Sequence, residues 1–276
     1  MLVAEQDGAR IEANAAERGG IFNCPQCKGI LVFKPGRKVI SHFAHKPPTD
    51  CTWARGETRA HLEAKLLVSE VLKARGLRAE LECILQGLSG DRRADVLVWS
   101  PSGKQLAIEL QHTSIGLDEI ERRAFSYAKL GIAQIWVPFI SKDTIEGAEL
   151  RADGSLFLET YSPRQFEKWV HGFHQKDGMW VYAPHQKLFW KAHIAPHQVY
   201  VPITEWYDEY GEEQSAGGYT KFSKLYRELT LEGPFPFEAL RVTVKSRRPG
   251  KVAHYNWPGG GLGMFVVEDV LSQVAA

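Results

Sequence analysis

The chain has 276 residues, 44% of them hydrophobic and 24% charged, a composition that is typical of globular proteins with one or two buried cores. Its 34 basic and 33 acidic residues nearly cancel, which excludes the uniformly basic surface of a protein that coats nucleic acid. Any contact with DNA must therefore be local. No apolar run reaches the roughly 18 to 20 residues of a membrane-spanning helix, so we expect no membrane insertion and a cytoplasmic location.

The first 140 residues predict a regular order of elements. Two short strands flank Asp7-Gly8, a dipeptide that favours a tight hairpin turn. Apolar residues at helical spacing predict a helix over residues 57–75, which Gly76 ends as a C-terminal cap. The next predicted elements are strands at 77–85, 94–99 and 105–111, a helix at 118–130 and a strand at 133–138. The order is therefore helix, three strands, helix, strand.

Beyond residue 150 the pattern is weaker, and it predicts a mixture of helices and strands. The predicted elements are helices at 163–171 and 219–229 and strands at 179–183 and 187–194. Tryptophans and basic residues are interspersed here, a mixture that can stack on bases and bind phosphates. These residues are Trp169, Trp180, Trp190, Trp206 and Trp257 with Lys187, Lys191, Lys221, Lys224, Arg247 and Arg248. The alternative, which we favour, is that the aromatic residues are buried in a core and the charged residues are solvated.

Three of the four cysteines lie in the first fifth of the chain, together with two histidines. Cys24 and Cys27 form a C-x2-C turn, whose thiolates can occupy two adjacent vertices of a tetrahedral zinc site. The ligand set that we favour is Cys24, Cys27, His45 and Cys51, with His42 as the alternative to His45. Ordinary buried cysteines beside core histidines would give the same pattern without a metal. A closed four-ligand site leaves no open position for catalysis, so this module would be structural or would help to bind DNA.

Two acidic residues face each other across the predicted hairpin of residues 94–111. Pairing of the two strands places Asp95 opposite Glu109, and strand alternation puts Gln111 on the same face as Glu109. Adjacent carboxylates repel each other unless a cation lies between them, and a magnesium ion with water and phosphate oxygens satisfies this requirement. The predicted positions for this ion are Asp95, Glu109 and Leu110. The alternative is a set of solvated polar positions on a strand.

Further charged residues in this region can reach the same site. Glu57, His61 and Lys65 recur every four residues along one side of the first predicted helix. The basic residues that are candidate DNA contacts are Arg93, Arg122, Arg123 and Lys129. Rows of charges on helices are also typical of a solvated surface. The functional interpretation of these residues therefore depends on the neighbouring carboxylates Asp95 and Glu109.

Taken together, the motifs up to about residue 140 resemble the competence protein CoiA-like family. The matching segments are Asp7-Gly8, Cys24-Pro25-Gln26-Cys27, His42-Phe43-Ala44-His45, the 57–65 helix with His61, Arg93-Ala94-Asp95-Val96, Ile108-Glu109-Leu110-Gln111 with Ser114, Arg123 to Tyr127, and Ile135-Trp136-Val137. The resemblance implies an α/β fold with a PD-(D/E)XK restriction-endonuclease-like core of α-β-β-β-α-β order, a small N-terminal zinc-ribbon-like module and an α+β C-terminal region. The expected division is an N-terminal hairpin and zinc-binding module (1–55), a nuclease-like domain (56–148) and a C-terminal region of unknown role (149–276).

The resemblance also implies roles for individual residues. Asp95 and Glu109 would bind a catalytic magnesium or manganese ion, and Glu57 would be an acidic helper on the first helix. Gln111 would occupy the position that a catalytic lysine usually takes, and an amide can orient water but supplies no positive charge. Lys65, on the same helix as His61, would then supply that charge, or activity would be low.

Three functions are compatible with this sequence. The first is a metal-dependent DNA endo- or exonuclease that processes incoming or recombining DNA, or acts in defence against foreign DNA. The second is a non-catalytic module that binds DNA or a recombination or DNA-uptake protein, and Gln111 keeps this hypothesis open. The third is a zinc-stabilised interaction protein without a nucleic-acid ligand, which the near-neutral charge favours. Salt-dependent DNA binding would exclude the third.

Overall fold

The computed structural model describes residues 1–36, 39–51, 53, 57–85, 92–174 and 177–268, which form a mixed α/β structure dominated by strands. The helices of this part are α1 (Arg59–Ala74), α2 (Leu117–Lys129), α3 (Lys142–Glu146) and α4 (Gln165–His174). The strands up to α3 are β1 (Val3–Gln6), β2 (Ala9–Glu12), β3 (Phe22–Asn23), β4 (Ile30–Lys34), β5 (His42–His45), β6 (Arg78–Leu85), β7 (Arg92–Trp99), β8 (Gln105–Gln111) and β9 (Ala133–Pro138). None of the helices in the described part is long and apolar enough to cross a membrane.

The strands after α3 are more numerous than the pattern predicted. They are β10 (Glu149–Leu150), β11 (Leu156–Tyr161), β12 (Met179–Ala183), β13 (Leu188–Val201), β14 (Thr204–Tyr207), β15 (Glu213–Ala216), β16 (Tyr219–Phe235), β17 (Leu240–Arg247), β18 (Gly250–Val252), β19 (Tyr255–Trp257) and β20 (Gly260–Val267). Five of them form a second large sheet in the order β10-β11-β16-β13-β12.

The first five strands form a small antiparallel sheet in the order β2-β1-β3-β4-β5. The predicted hairpin at Asp7-Gly8 is confirmed, because β1 and β2 pair around these two residues and both have positive φ. A separate small core, which includes Phe22, Leu31 and Phe43, lies under this sheet. The Cys/His segment is therefore attached to a unit with its own packing.

A six-stranded sheet in the order β17-β20-β9-β8-β7-β6 forms the centre of the molecule. Strands β6, β7 and β8 are antiparallel neighbours, whereas β9 runs parallel to β8 after the crossover through α2. Alternate side chains of β7 and β8 enter two different cores, one shared with α1 and the other with α2. The helices therefore cover opposite faces of the sheet, and the predicted order of helix, three strands, helix and strand is confirmed.

Helix α1 begins and ends where its sequence signals predict, within two residues. The Thr58 hydroxyl accepts a hydrogen bond from the His61 backbone N–H at 3.3 Å, which satisfies one of the free donors at the helix start. Gly76 adopts a φ of +76° just after the helix, a conformation that costs glycine little. These two signals fix the position from which Glu57 and His61 approach the sheet.

The prediction of a helix at 219–229 is wrong, because these residues belong to β16, a strand of 17 residues. The apolar residues Tyr219, Phe222 and Tyr226 recur at helical spacing, but all three side chains are exposed. No apolar helical face is buried, and the backbone pairs instead with β13. Tyrosine, phenylalanine and threonine favour extended backbone, and the long-range pairing overrides the local spacing.

The predicted C-terminal region contributes to both large sheets and forms the two-stranded sheets β14-β15 and β18-β19. Strand β17 and strand β20 complete the six-stranded sheet, and β20 lies parallel to β9. A Cβ atom at Gly263 would lie only 2.5 Å from a methyl carbon of Leu106, so the close approach of β20 requires glycine there. The division at residue 148 stays a prediction, although hydrogen bonds of this sheet join the two sides of it. The predicted boundary between residues 55 and 56 lies outside the described residues.

The aromatic residues of the C-terminal region divide into a buried and an exposed set. The buried tryptophans are Trp169, Trp180, Trp190 and Trp257. Trp206, by contrast, is exposed, and it lies on β14 with several exposed tyrosines nearby. The expectation of core aromatics therefore holds for four of the five tryptophans.

Candidate functional site

Four potential metal ligands converge beside the N-terminal sheet. Cys24 and Cys27 lie on the turn between β3 and β4, His45 ends β5, and Cys51 follows on the next segment. The ligand atoms of these residues all lie within 4.8 Å of one another, and Cys27 Sγ is 3.5 Å from His45 Nε2. The alternative ligand, His42, is not among these four residues, and its Nδ1–H donates to the Ile40 carbonyl at 2.9 Å.

The environment of this cluster suits a soft divalent metal. Burial raises the pKa of Cys24 to about 12, so its thiol ionises only when a strong positive charge is supplied. Although burial also acts on Cys27, the backbone N–H of Gly29 and the neighbouring cysteines lower its pKa. Burial lowers the pKa of His45, which leaves the neutral imidazole that a metal requires. Three thiols and one imidazole at this separation are a donor set that can bind zinc.

A second group of potential ligands lies where α1 meets the edge of β7. Glu57 precedes α1, His61 lies in its first turn, and Asp95 is on β7. Their ligand atoms also lie within 4.8 Å of one another. His61 lies between the two carboxylates, with Nδ1 3.4 Å from Glu57 Oε1 and Nε2 3.1 Å from Asp95 Oδ2.

Lys65 is completely buried behind this group. Its Nζ donates to Glu57 Oε1 at 2.6 Å and to Glu82 Oε1 at 2.5 Å. Although burial opposes the charged form, Glu82 and Glu57 raise the pKa of Lys65, so the ammonium ion persists. The sequence led us to expect that Lys65 supplies positive charge to a reacting phosphate. In the structure its ammonium group is bound by the carboxylates of Glu57 and Glu82 instead.

Sequence reasoning missed Glu82, which is the second partner of Lys65. Glu82 lies in β6 with only 2% of its surface exposed, and its backbone φ is +48°. Its Oε1 also accepts the backbone N–H of Leu2 at 2.9 Å, which connects the N-terminal strand to the site. Glu82 continues the alternation of charged residues that Arg78 and Glu80 begin in β6, so no signal in the sequence set it apart.

Arg93 provides a second cation inside this group. Its guanidinium donates to Glu57 at 3.3 Å, lies 3.7 Å from Glu82, and stacks 4.7 Å from the ring centre of Trp53. Arg93 was predicted to contact DNA, but its guanidinium is paired with the carboxylates of Glu57 and Glu82 within the fold. Trp53 immediately follows the Cys/His cluster in sequence, so this contact links the two candidate sites.

Asp95 and Glu109, the two carboxylates expected to share one ion, interact with different helices. Asp95 Oδ2 accepts the backbone N–H of Leu110 at 2.9 Å as well as the contact from His61. Burial opposes its charge, but His61 lowers the pKa of Asp95 below its ordinary value, so this carboxylate is ionised.

Glu109 is almost fully buried and forms hydrogen bonds with Arg123 and Tyr127 on α2. Burial raises the pKa of Glu109 to about 7; Arg123 opposes this rise and Asp95 adds to it. The Glu57, His61 and Asp95 group does not include Glu109, because α2 supplies its partners.

A comparison with protein-family models gives two matches that together span most of the first three quarters of the chain. Residues 57–205 match the competence protein CoiA nuclease-like domain, and residues 6–54 match the competence protein CoiA N-terminal domain. This chain belongs to the competence protein CoiA family. A search of curated proteins finds no match. In this CoiA family member the first match contains Glu57, His61 and Asp95, the carboxylate cluster, and the second contains all four Cys/His ligands and His42.

The remaining predicted residues of the CoiA nuclease-like domain lie on β8 and α2. Gln111 is partly exposed, and its amide Nε2 donates to the Thr113 carbonyl at 2.6 Å, which leaves the amide oxygen as an acceptor. Arg122 and Lys129 are exposed on α2, and Arg122 pairs with Glu119. Arg123 is mostly buried against Glu109. Of the four predicted DNA contacts, Arg122 and Lys129 are thus the two whose charged groups face solvent.

Proposed function

We propose that this protein is a metal-dependent deoxyribonuclease with a PD-(D/E)XK-type core, which acts on incoming or recombining DNA. The observation that carries the proposal is the convergence of Glu57, His61 and Asp95 within 4.8 Å, where the start of α1 meets strand β7 of the central sheet. The order of α1, β6, β7, β8, α2 and β9 agrees with the α-β-β-β-α-β order expected for that core. Membership of a family with a nuclease-like domain supports the same reaction class.

The donor set fits a divalent cation that accepts both oxygen and nitrogen ligands. Glu57 and Asp95 offer carboxylate oxygens, which magnesium and manganese prefer, and His61 adds an imidazole, which favours a transition metal. We therefore expect manganese to support activity at least as well as magnesium. When bound, such an ion lowers the pKa of a bound water and neutralises negative charge on phosphate oxygens.

The residues of the chain have separate tasks in this proposal. Asp95 stays ionised, and the Leu110 N–H and His61 fix the orientation of its carboxylate. Lys65 and Arg93 neutralise Glu57 and Glu82 from behind and act as positioning residues. Gln111 has a free amide oxygen with which it can orient a water molecule. Arg122 and Lys129 are placed to contact phosphates along α2.

A non-catalytic DNA-binding protein is the second candidate, and one observation favours it. Lys65 is bound to two carboxylates, Arg93 is similarly paired, and Gln111 carries no charge, so among the described residues no unpaired lysine is available at the candidate site. A positive group beside the reacting phosphate contributes transition-state stabilisation in many phosphoryl-transfer enzymes. The other cations beside these carboxylates are also paired, Arg123 with Glu109 and the Met1 ammonium with Glu57.

Cleavage of end-labelled linear duplex and single-stranded DNA by the full chain tests the proposal in magnesium and in manganese. Asp95→Asn keeps the size of the side chain and removes its charge, and we expect it to reduce the cleavage rate by about 100-fold or more. Glu70→Gln is the matched control, because Glu70 is exposed on α1, away from the cluster. Salt-dependent binding without cutting in either metal would reject the nuclease and favour the second candidate.

A further inference from the structure

A two-stranded arm extends from the second large sheet. Its stem consists of residues 196–203 and 217–227, where the outer parts of β13 and β16 pair with each other. Its tip consists of residues 204–216, which form the β14–β15 hairpin. The flanking strand β11 pairs with β16 only from Arg227 onward, and β12 pairs with β13 only before His193. Both edges of the arm therefore extend beyond the flanking strands of the sheet.

The arm exposes an unusual amount of apolar surface. Its exposed large side chains are Val199, Tyr200, Ile203, Trp206, Tyr207, Tyr210, Tyr219, Phe222, Leu225 and Tyr226. Tyr210 is 83% exposed and Tyr207 is 73% exposed. A two-stranded hairpin by itself is marginally stable in water, and exposed apolar patches of this kind mark interaction surfaces. The arm therefore has the character of a surface that is covered in the working protein.

Charges are segregated along the arm. The tip contains five acidic residues and no basic one, namely Glu205, Asp208, Glu209, Glu212 and Glu213. The stem contains three basic residues and no acidic one, namely Lys221, Lys224 and Arg227. Among the described residues, none of the four tip glutamates forms an ion pair, and none of the three basic stem residues does. The tip would repel a nucleic acid, whereas it is complementary in charge to the stem.

We propose that two copies of this chain associate through the arm, with the tip of each copy packed against the stem of the other. Such a two-fold arrangement uses each contact twice, because the tip and the stem belong to the same chain. The arm has 32 residues, which is within reach of the roughly 20 to 30 residues per partner of an ordinary stable interface. The net charge of +1 leaves no long-range repulsion between two copies.

The mass of the full, zinc-loaded chain in solution tests this proposal, with light scattering or sedimentation as the measurement. We expect twice the chain mass at low salt and a shift toward a single chain as salt screens the tip–stem contact. One variant reverses the stem with Lys221→Glu, Lys224→Glu and Arg227→Glu. A second variant reverses the tip with Glu205→Lys, Glu209→Lys, Glu212→Lys and Glu213→Lys. Each variant alone should have the mass of one chain, since its tip and stem then carry the same sign.

An equimolar mixture of the two variants separates the proposal from simple loss of folding. In the mixed pair every tip meets a stem of opposite charge, so the mixture should return to twice the chain mass. A misfolded variant cannot produce this recovery. A wild-type chain that stays single at high concentration overturns the proposal, as does a dimer that neither reversal disturbs. A single chain whose stem-reversed form loses binding to a single-stranded oligonucleotide would assign the arm to nucleic acid instead.

Discussion

The two candidate metal sites satisfy their buried polar groups in opposite ways. In the Cys/His cluster the thiols and the imidazole have few partners other than one another, and within the described residues no lysine or arginine side chain donates a hydrogen bond to them. In the carboxylate cluster Lys65 and Arg93 neutralise the acidic groups from within the fold. Buried polar groups need a partner, and a charge needs one most of all. Zinc would thus be part of the folded structure at the first site, whereas an ion at the second would be exchangeable.

Removal of zinc is expected to have the largest effect. A structural zinc site contributes on the order of 10 kcal/mol of binding free energy, so the N-terminal sheet should lose its fold when a strong chelator is added. Limited proteolysis should then cut within residues 1–51 and spare β6 to β9. Cys27→Ser should reproduce this result, while Cys83→Ser, outside the cluster, should retain one zinc per chain by elemental analysis. Equal metal content in both variants would contradict the assignment.

Removal of the buried ammonium group should have the next largest effect. Lys65→Met leaves Glu57 and Glu82 buried without their main partner, which typically costs about 3–5 kcal/mol of unfolding free energy. Lys73→Met is the matched control on the same helix, because the Lys73–Glu12 pair is at the surface and should contribute at most about 1 kcal/mol. Urea unfolding in zinc-containing buffer measures both. Equal losses would show that Lys65 is not an internal counter-charge.

Acid should weaken the carboxylate cluster in a predictable range. The pKa of Asp95 is lower in the folded protein than the ordinary value of 3.8, so its contribution is complete above that value and is lost as pH falls below it. Between pH 7 and about 5 the difference in unfolding free energy between wild type and Asp95→Asn also includes Glu109, whose pKa of about 7 Asp95 helps to raise, whereas below about pH 5 it reports Asp95. It should shrink by about 2–3 kcal/mol under more acidic conditions. A difference that grows on acidification would contradict an ionised Asp95; effects of the zinc site are common to both proteins and cancel.

The contact that joins the two regions should have the smallest effect. Trp53→Leu removes the stacking of Arg93 on the indole ring, which is expected to cost about 1 kcal/mol. The measurement is again urea unfolding, combined with Arg93→Lys in a double-mutant cycle. If the losses of unfolding free energy are additive, Trp53 and Arg93 do not interact energetically, and this contact does not couple the two sites.

Local patterns predicted the parts of the molecule that local forces determine. Hairpin and helix signals located β1, β2, α1 and α2 within a few residues, because turns, caps and apolar periodicity act over short separations. The ligands Cys24, Cys27, His45 and Cys51 were also recognisable, because they lie within 28 consecutive residues and begin with a C-x2-C turn. The sequence did not decide between His45 and His42 as the histidine ligand. It also gave no sign that His42 forms a hydrogen bond with the Ile40 carbonyl.

Long-range contacts account for what the sequence did not predict. Glu82 meets Lys65 across two elements, and Glu109 binds Arg123 on α2 even though the strand register brings Asp95 close to it. Neither contact has a spacing signal, because each depends on how a helix lies on the sheet. The same reason explains β16, whose strand conformation follows from pairing with β13 more than 20 residues earlier in the chain.

The position of β20 beside β9 has a consequence for how the chain is made. The 122 residues between Pro138 and Gly260 take about 6 to 24 s to synthesise, at 5–20 residues per second. Through this interval the edge of β9 remains unpaired, and an open edge is a site of aggregation. The residues of the carboxylate cluster all precede residue 124 and leave the ribosome first. A chain that stalls before residue 240 would therefore carry every residue of the candidate site on a sheet that has not been closed.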